Sequence, residues 1–174
     1  MSDKESTSNL PTSIYMHILQ TNSEPILFES KNWFVLFAKQ PCKEGHLLII
    51  PKIQTPKFYD LPLDILSEGF KIATLISRVL NHIYQPPQVA LFIKGFTNDD
   101  HAHIHVCPVY TSDDINRDPS RPELALGQMT KLLLKLKPEI HKALSSIATA
   151  DSELDSPDTT TWKFRNSSST GSRV

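Results

Sequence analysis

The stretch His-Ala-His-Ile-His-Val-Cys at residues 101–107 (HAHIHVC), running on as Pro-Val-Tyr to residue 110, alternates polar and apolar side chains with strict period two. That period marks a β-strand, whose successive side chains point to opposite faces. His101, His103 and His105 therefore share one face, and Ala102, Ile104 and Val106 the other. Residues two apart on one strand face lie roughly 6.5–7 Å from each other, a spacing at which imidazoles address adjacent oxygens of one phosphate or ligate one metal. Three packed cations would repel, so at least one ring is held neutral near pH 7 and keeps a nucleophilic nitrogen. The small apolar face predicts a strand laid on a core with its histidine face outward. A single strand histidine is ordinarily structural, whereas three in alternation mark a functional site.

Upstream of the histidines, the polar stretch 94–100 reads as a loop and VALFI at 89–93 as an apolar strand. Residues 62–84 carry Ile65, Leu66, Ala73, Ile76, Leu80 and Ile83 at 3.6-residue spacing, which predicts the main helix, with Asp60 placed to cap it and Pro86-Pro87 to end it. Farther upstream, WFVLF at 33–37 and LLII at 47–50 are β-branched and aromatic runs separated by AKQPCKEGH. Pro41 and Gly45 punctuate a turn there, predicting an antiparallel hairpin with a wide loop and His46 entering its second strand. Residues 14–19 read as a helical or strand turn, and 25–28 as a strand. Strands with one main helix predict an α+β fold with an antiparallel sheet.

Downstream of Tyr110, residues 111–121 are a polar connector. Met129, Leu132, Leu133, Leu136, Ile140, Leu144 and Ile147 then keep helical spacing, and Pro138 predicts a kink or a split. The organisation read from this is a flexible tail over 1–12, a domain over 13–121, a helical extension over 122–148 and a disordered Ser/Thr-rich tail over 149–174.

A chain of 174 residues, 39% hydrophobic, can bury a core without a metal or disulfide staple. Its two cysteines form no CxxC pair, which excludes a disulfide scaffold and a cysteine-based zinc finger. Cys107 reads as a small core filler and Cys42 as an exposed loop residue. The 18 Lys+Arg against 19 Asp+Glu leave a net charge of −1, which argues against long nucleic acid and acidic membrane surfaces. Residues 1–12 are too polar for a signal segment and no apolar run is long enough to span a bilayer, so a cytoplasmic or nuclear location is expected. With five glycines and neither GxGxxG nor GxxxxGK[ST], any phosphate has to be held by a few imidazoles and backbone amides in one pocket. His17, His82 and His141 have no partner in the sequence and read as surface residues.

Over about residues 13–110 the chain resembles the histidine triad (HIT) family of nucleotide-binding hydrolases and transferases. HAHIHVC matches that family's signature at every position. A second feature, Pro41 followed by Gly45-His46 and the strand LLIIPK up to Lys52, matches at the expected distance. The resemblance implies a HIT-like fold and nucleotidyl chemistry without a metal or other cofactor. In it His103 attacks the α-phosphorus of a nucleoside phosphate derivative of the phosphoramidate or dinucleoside polyphosphate type. The resulting nucleotidyl-histidine is then hydrolysed by water. His105 would contact phosphoryl oxygens and help protonate or stabilise the leaving group, while His101 and His46 orient and polarise the cluster. Asn98, Lys52 and Phe37 are the candidate substrate contacts.

Relatives often carry Asp or Asn eight residues before the Gly-His histidine to hold the ribose hydroxyls; Ala38 stands there, and a methyl cannot accept those bonds. Ser13 and Met16 occupy the positions of the CxxC zinc pair of some relatives, so that structural metal is expected to be absent. Retention of His105 favours hydrolysis over the transferase branch, which carries glutamine there. Family members commonly pair as two-fold dimers, so a homodimer is expected. The C-terminal helix then covers that interface, contacts another partner or folds back on its own chain. Two other readings stand beside the hydrolase: a His-ligated metalloprotein, and a non-catalytic nucleotide-binding or scaffold protein.

Overall fold

The predicted hairpin forms the middle of the sheet. In the computed structural model, which describes residues 12–94, 101–112 and 120–150, the elements are α1 (Ile14–Thr21), β1 (Phe28–Glu29), β2 (Trp33–Phe37), β3 (Leu47–Pro51), a 3₁₀ turn (Phe58–Asp60), α2 (Leu63–Tyr84), β4 (Gln88–Lys94), β5 (His103–Val109) and α3 (Leu126–Ala150). The five strands lie in the order β1-β2-β3-β5-β4, every pair antiparallel. This is the α+β architecture expected of the strand and helix pattern.

WFVLF is apolar at every position because both faces of β2 are covered. Trp33, Val35 and Phe37 join Leu47, Ile49, Ile104 and Val106 in a core beneath α2 and α3. Phe34 and Leu36 join Leu48, Ile50 and Ala38 in a second layer beneath Ile18 of α1. A strand buried on both faces loses the hydrophobic alternation of a half-exposed one. The segment over 14–19, read as either helical or extended, is helix α1: the Ser13 hydroxyl accepts the Met16 N–H at 3.2 Å and caps it.

The main helix starts and stops within a residue of its expected bounds, but Asp60 does not cap it. Asp60 closes the 3₁₀ turn, and the N-cap position is taken by Pro62, which makes no side-chain bond. Proline lacks the N–H that goes unused at a helix start, and Asp64 supplies the acidic first turn. At the other end Gln85 turns left-handed, its N–H returning to the Asn81 carbonyl, before the two prolines.

Pro138 neither splits nor ends α3, which runs through it to Ala150. The carbonyl four residues earlier belongs to Leu134, and both Leu134 and Pro138 face solvent, where water takes the bond that proline cannot supply. On its inner side Met129, Leu132, Leu136, Ile140 and Leu144 enter the core shared with α2. Of the three expectations for the extension, it folds back on its own chain. The expected tails at 1–12 and 149–174 fall almost wholly outside the described residues. No helix among the described residues is long and apolar enough to cross a membrane.

Candidate active site

The register of the sheet places the histidines. His105 sits opposite Leu48 of β3 on one side and Phe92 of β4 on the other. It therefore shares the face of Phe34, Leu36, Leu48 and Ile50, the face that α1 covers. The expectation of an outward histidine face is corrected here: His46, His101, His103 and His105 are all buried, none more than 7% exposed. Helix α1 lays Tyr15 over them, its ring centroid 4.9 Å from His103 and 5.7 Å from His101.

The three imidazoles do not stand in one row either. His103 and His105 are ring neighbours at 4.6 Å. β5 begins at His103, so His101 lies off the strand end with its ring between two fixed partners. Its Nε2–H donates to the Pro51 carbonyl at 2.8 Å, and its Nδ1 accepts the Ser13 hydroxyl at 2.7 Å. The same Ser13 oxygen caps α1, so the helix carrying Tyr15 and the first histidine share one hydroxyl.

Proton positions follow from the obligatory donors and acceptors. The His101 carbonyl can only accept, so the Nδ1 of His103, 2.9 Å away, carries the hydrogen and leaves Nε2 with its lone pair. The Tyr15 hydroxyl stands 3.4 Å from that Nε2. On the neighbouring pair, the Cys42 N–H can only donate, so the Nδ1 of His46 accepts at 2.9 Å. His46 Nε2–H then donates to the Nδ1 of His105 at 2.9 Å, and His105 carries its own proton on Nε2. An unprotonated nitrogen thus stands beside an N–H donor. A cationic His105 would need a second N–H at Nδ1, facing the N–H of His46. This relay holds His105 neutral, as a hydrogen-bond donor to phosphoryl oxygens and not as a strong acid.

Gly45 delivers His46 into this arrangement. Its φ of +86° suits glycine, and a Cβ there would lie 2.6 Å from the Tyr84 ring. Phe92 stacks on His105 at 4.5 Å and 10° and walls the pair from the β4 side.

Burial, above all, lowers the pKa of His101 from 6.5; the Pro51 carbonyl opposes this and His103 adds to it. Between the lowered native value and 6.5 the unfolded chain binds the extra proton. Stability is therefore expected to fall as pH drops below about 6.5, by at most about 1.4 kcal/mol per pH unit, and to level off below the native value. Urea unfolding at about pH 7.5 and about pH 5.5 checks this against His101→Gln. The gap between wild type and variant should shrink on acidification; a gap that does not move with pH would sink the assignment.

The fold brings His46, His101, His103 and His105 together, but not every expected substrate contact. Lys52 follows the end of β3, and its ammonium reaches Glu29 of β1, at 2.7 Å. Phe37 belongs to the core under α2 and α3, on the opposite face from the imidazoles, with one edge on a cavity of about 550 Å³ beside His46. Asn98 lies outside the described residues. Tyr15, Ser13 and Phe92 were not singled out by sequence; only Ser13 had a readable signal, a serine just before a helical run. Cys42 is half-buried and not exposed, and its sulfur approaches that of the buried Cys107. His17, His82 and His141 are exposed, as expected.

The family described as HIT domain matches residues 20–112, just over half of the chain. The adenosine 5'-monophosphoramidase HNT1 of Saccharomyces cerevisiae is 30% identical over 87 residues, 47% of this chain and 52% of the yeast protein, so the match spans about half the length of that relative. Among solved structures, a hypothetical histidine triad nucleotide-binding protein of Sulfolobus tokodaii superposes with a TM-score of 0.64 at 20% identity. It covers 76% of this chain and 95% of its own. A histidine triad nucleotide-binding protein of Candida albicans gives 0.52 at 23% identity, over 75% of this chain and 99% of its own. At these identities the structural matches show the fold.

Proposed function

The chain belongs to the HIT family, and from that premise we propose that it is a nucleotidyl hydrolase acting on a nucleoside phosphoramidate or a related nucleoside phosphate. The observation that carries this reading is the His103 ring, whose Nδ1–H is held by the His101 carbonyl at 2.9 Å while Nε2 keeps its lone pair beside His105. The Nε2 lone pair forms an N–P bond as the P–N bond to the leaving amine breaks. The electron pair leaves with the amine, which takes a proton from solvent. Water then forms the new O–P bond and gives up a proton to solvent, the N–P bond breaks, and the imidazole recovers its pair. The N–H of His105 supports the charge developing on the phosphoryl oxygens in both steps.

Because the yeast relative is named an adenosine 5'-monophosphoramidase, the first substrate to test is adenosine 5'-phosphoramidate, followed by dinucleoside polyphosphates. Release of AMP and ammonia by the full chain, undiminished by a chelator, supports the hydrolase and counts against a metalloenzyme. The burial of all four imidazoles, with Tyr15 over the His103 nitrogen, favours a second reading in which the site binds nucleotide without turning it over. Retained nucleotide affinity with no turnover on that panel would select it. On the same family footing we read the working unit as a homodimer, and a monomeric mass in solution would overturn that.

A further inference from the structure

The chain has two cysteines, 65 positions apart, and the fold brings both to one histidine. The β3–β5 register pairs Leu47 with Val106, so one step outward His46 stands opposite Cys107. The hairpin loop folds Cys42 back onto the same ring, its N–H 2.9 Å from His46 Nδ1. One ligand atom each from Cys42, His46 and Cys107 then lies within 4.8 Å of the other two. We propose that these three residues form a binding site for one thiophilic divalent cation of the zinc class.

The donor set selects the cation. Two sulfurs and an imidazole suit a borderline or soft ion and not magnesium or calcium, and two thiolates neutralise a double positive charge. Tetrahedral zinc with bonds of about 2.0–2.3 Å places its ligand atoms roughly 3.5–3.8 Å apart, so closing from the observed limit takes about 1 Å of side-chain movement. Cys107 is fully buried and His46 nearly so, which gives the dry wall of the site. The cavity of about 550 Å³, lined by both Cys42 and His46, gives an entry path and room for a water as fourth ligand. On binding, both thiols release their protons to solvent, and the Cys107 thiol gives up its contact with the Pro108 carbonyl. A cation on Nδ1 of His46 would displace the Cys42 N–H, so the site shares its histidine with the relay to His105.

The test needs no substrate. The full chain, reduced and freed of metal, is titrated with Co²⁺, and Zn²⁺ affinity is then measured by displacement. Wild type should bind one Co²⁺ per chain with a thiolate-to-cobalt charge-transfer band. Cys42→Ala and Cys107→Ala should each remove the band and weaken Zn²⁺ binding by on the order of 100-fold, whereas His103→Ala should keep both. Cys42 lies in the loop, so its variant remains informative even where Cys107→Ala disturbs the core. A wild type without the band, a band that survives both cysteine variants, or one lost with His103 would overturn the proposal.

Discussion

His103→Ala is expected to lower kcat for phosphoramidate hydrolysis by roughly 10⁴-fold, while costing only about 1–2 kcal/mol of stability through the lost bond to the His101 carbonyl. The effect is large because no neighbouring ring can take over. His101 has both nitrogens engaged, by Pro51 and Ser13, and His46 has both engaged, by Cys42 and His105. His105 carries its proton on Nε2, its Nδ1 being taken by His46. Nε2 of His103 combines a lone pair with a fixed tautomer, and its contact with the Tyr15 hydroxyl is a long one, at 3.4 Å. His105→Ala should cost less, about 10²–10³-fold, since it removes one donor to the developing phosphoryl charge and leaves the nucleophile in place. Tyr15→Phe should cost least, its hydroxyl standing 3.4 Å from the attacking nitrogen. Free imidazole added to His103→Gly separates a lost nucleophile from a disturbed fold, because only the first is rescued. A His103→Ala protein that keeps a tenth of wild-type turnover would end the covalent mechanism.

The ranking of those three variants depends on contacts that differ in how far the sequence announces them. His103 and His105 were legible from the period of two, and His46 through the resemblance carried by Pro41, Gly45-His46 and the strand LLIIPK. The bounds of β2 to β5 and of the main helix came out within a residue or two because apolar runs and paired prolines are local signals, whereas the strand read over 25–28 is extended only as Phe28–Glu29. What stayed hidden is long-range. That the histidine face is buried depends on α1 crossing the sheet, which residues 14–19 do not declare. The cysteines meet at His46 only through the register of two strands that pairs Leu48 with His105, 57 positions on, and no local pattern encodes a register. Pro138 misled for a related reason: a proline costs a helix little where the orphaned carbonyl meets water, and solvent exposure is a property of the packed chain.

Gly69→Ala is expected to destabilise the fold by about 2–4 kcal/mol, against the ordinary sign for such a change. In an exposed helix interior, replacing glycine by alanine stabilises by about 1 kcal/mol. At position 69 a Cβ would clash with Cζ2 of Trp33, with two more indole atoms inside 3 Å. The indole cannot step aside: it is fully buried, and its Nε1–H donates to the Ile65 carbonyl, one turn earlier on the same helix, at 2.9 Å. The helix must lift off β2 or the ring must break that bond, so overpacking of about 1–3 kcal/mol combines with the cost of an unpaired buried donor. Trp33→Phe trims the ring that the new methyl strikes, and the double variant should recover about 0.5–3 kcal/mol relative to additivity. Gly127 supplies the control, since a Cβ there meets nothing within 4 Å in the first turn of α3. Gly127→Ala should leave stability unchanged or raise it slightly in the same denaturant titration. If the two alanine variants unfold at the same midpoint, close approach of α2 to Trp33 is not what holds glycine at position 69.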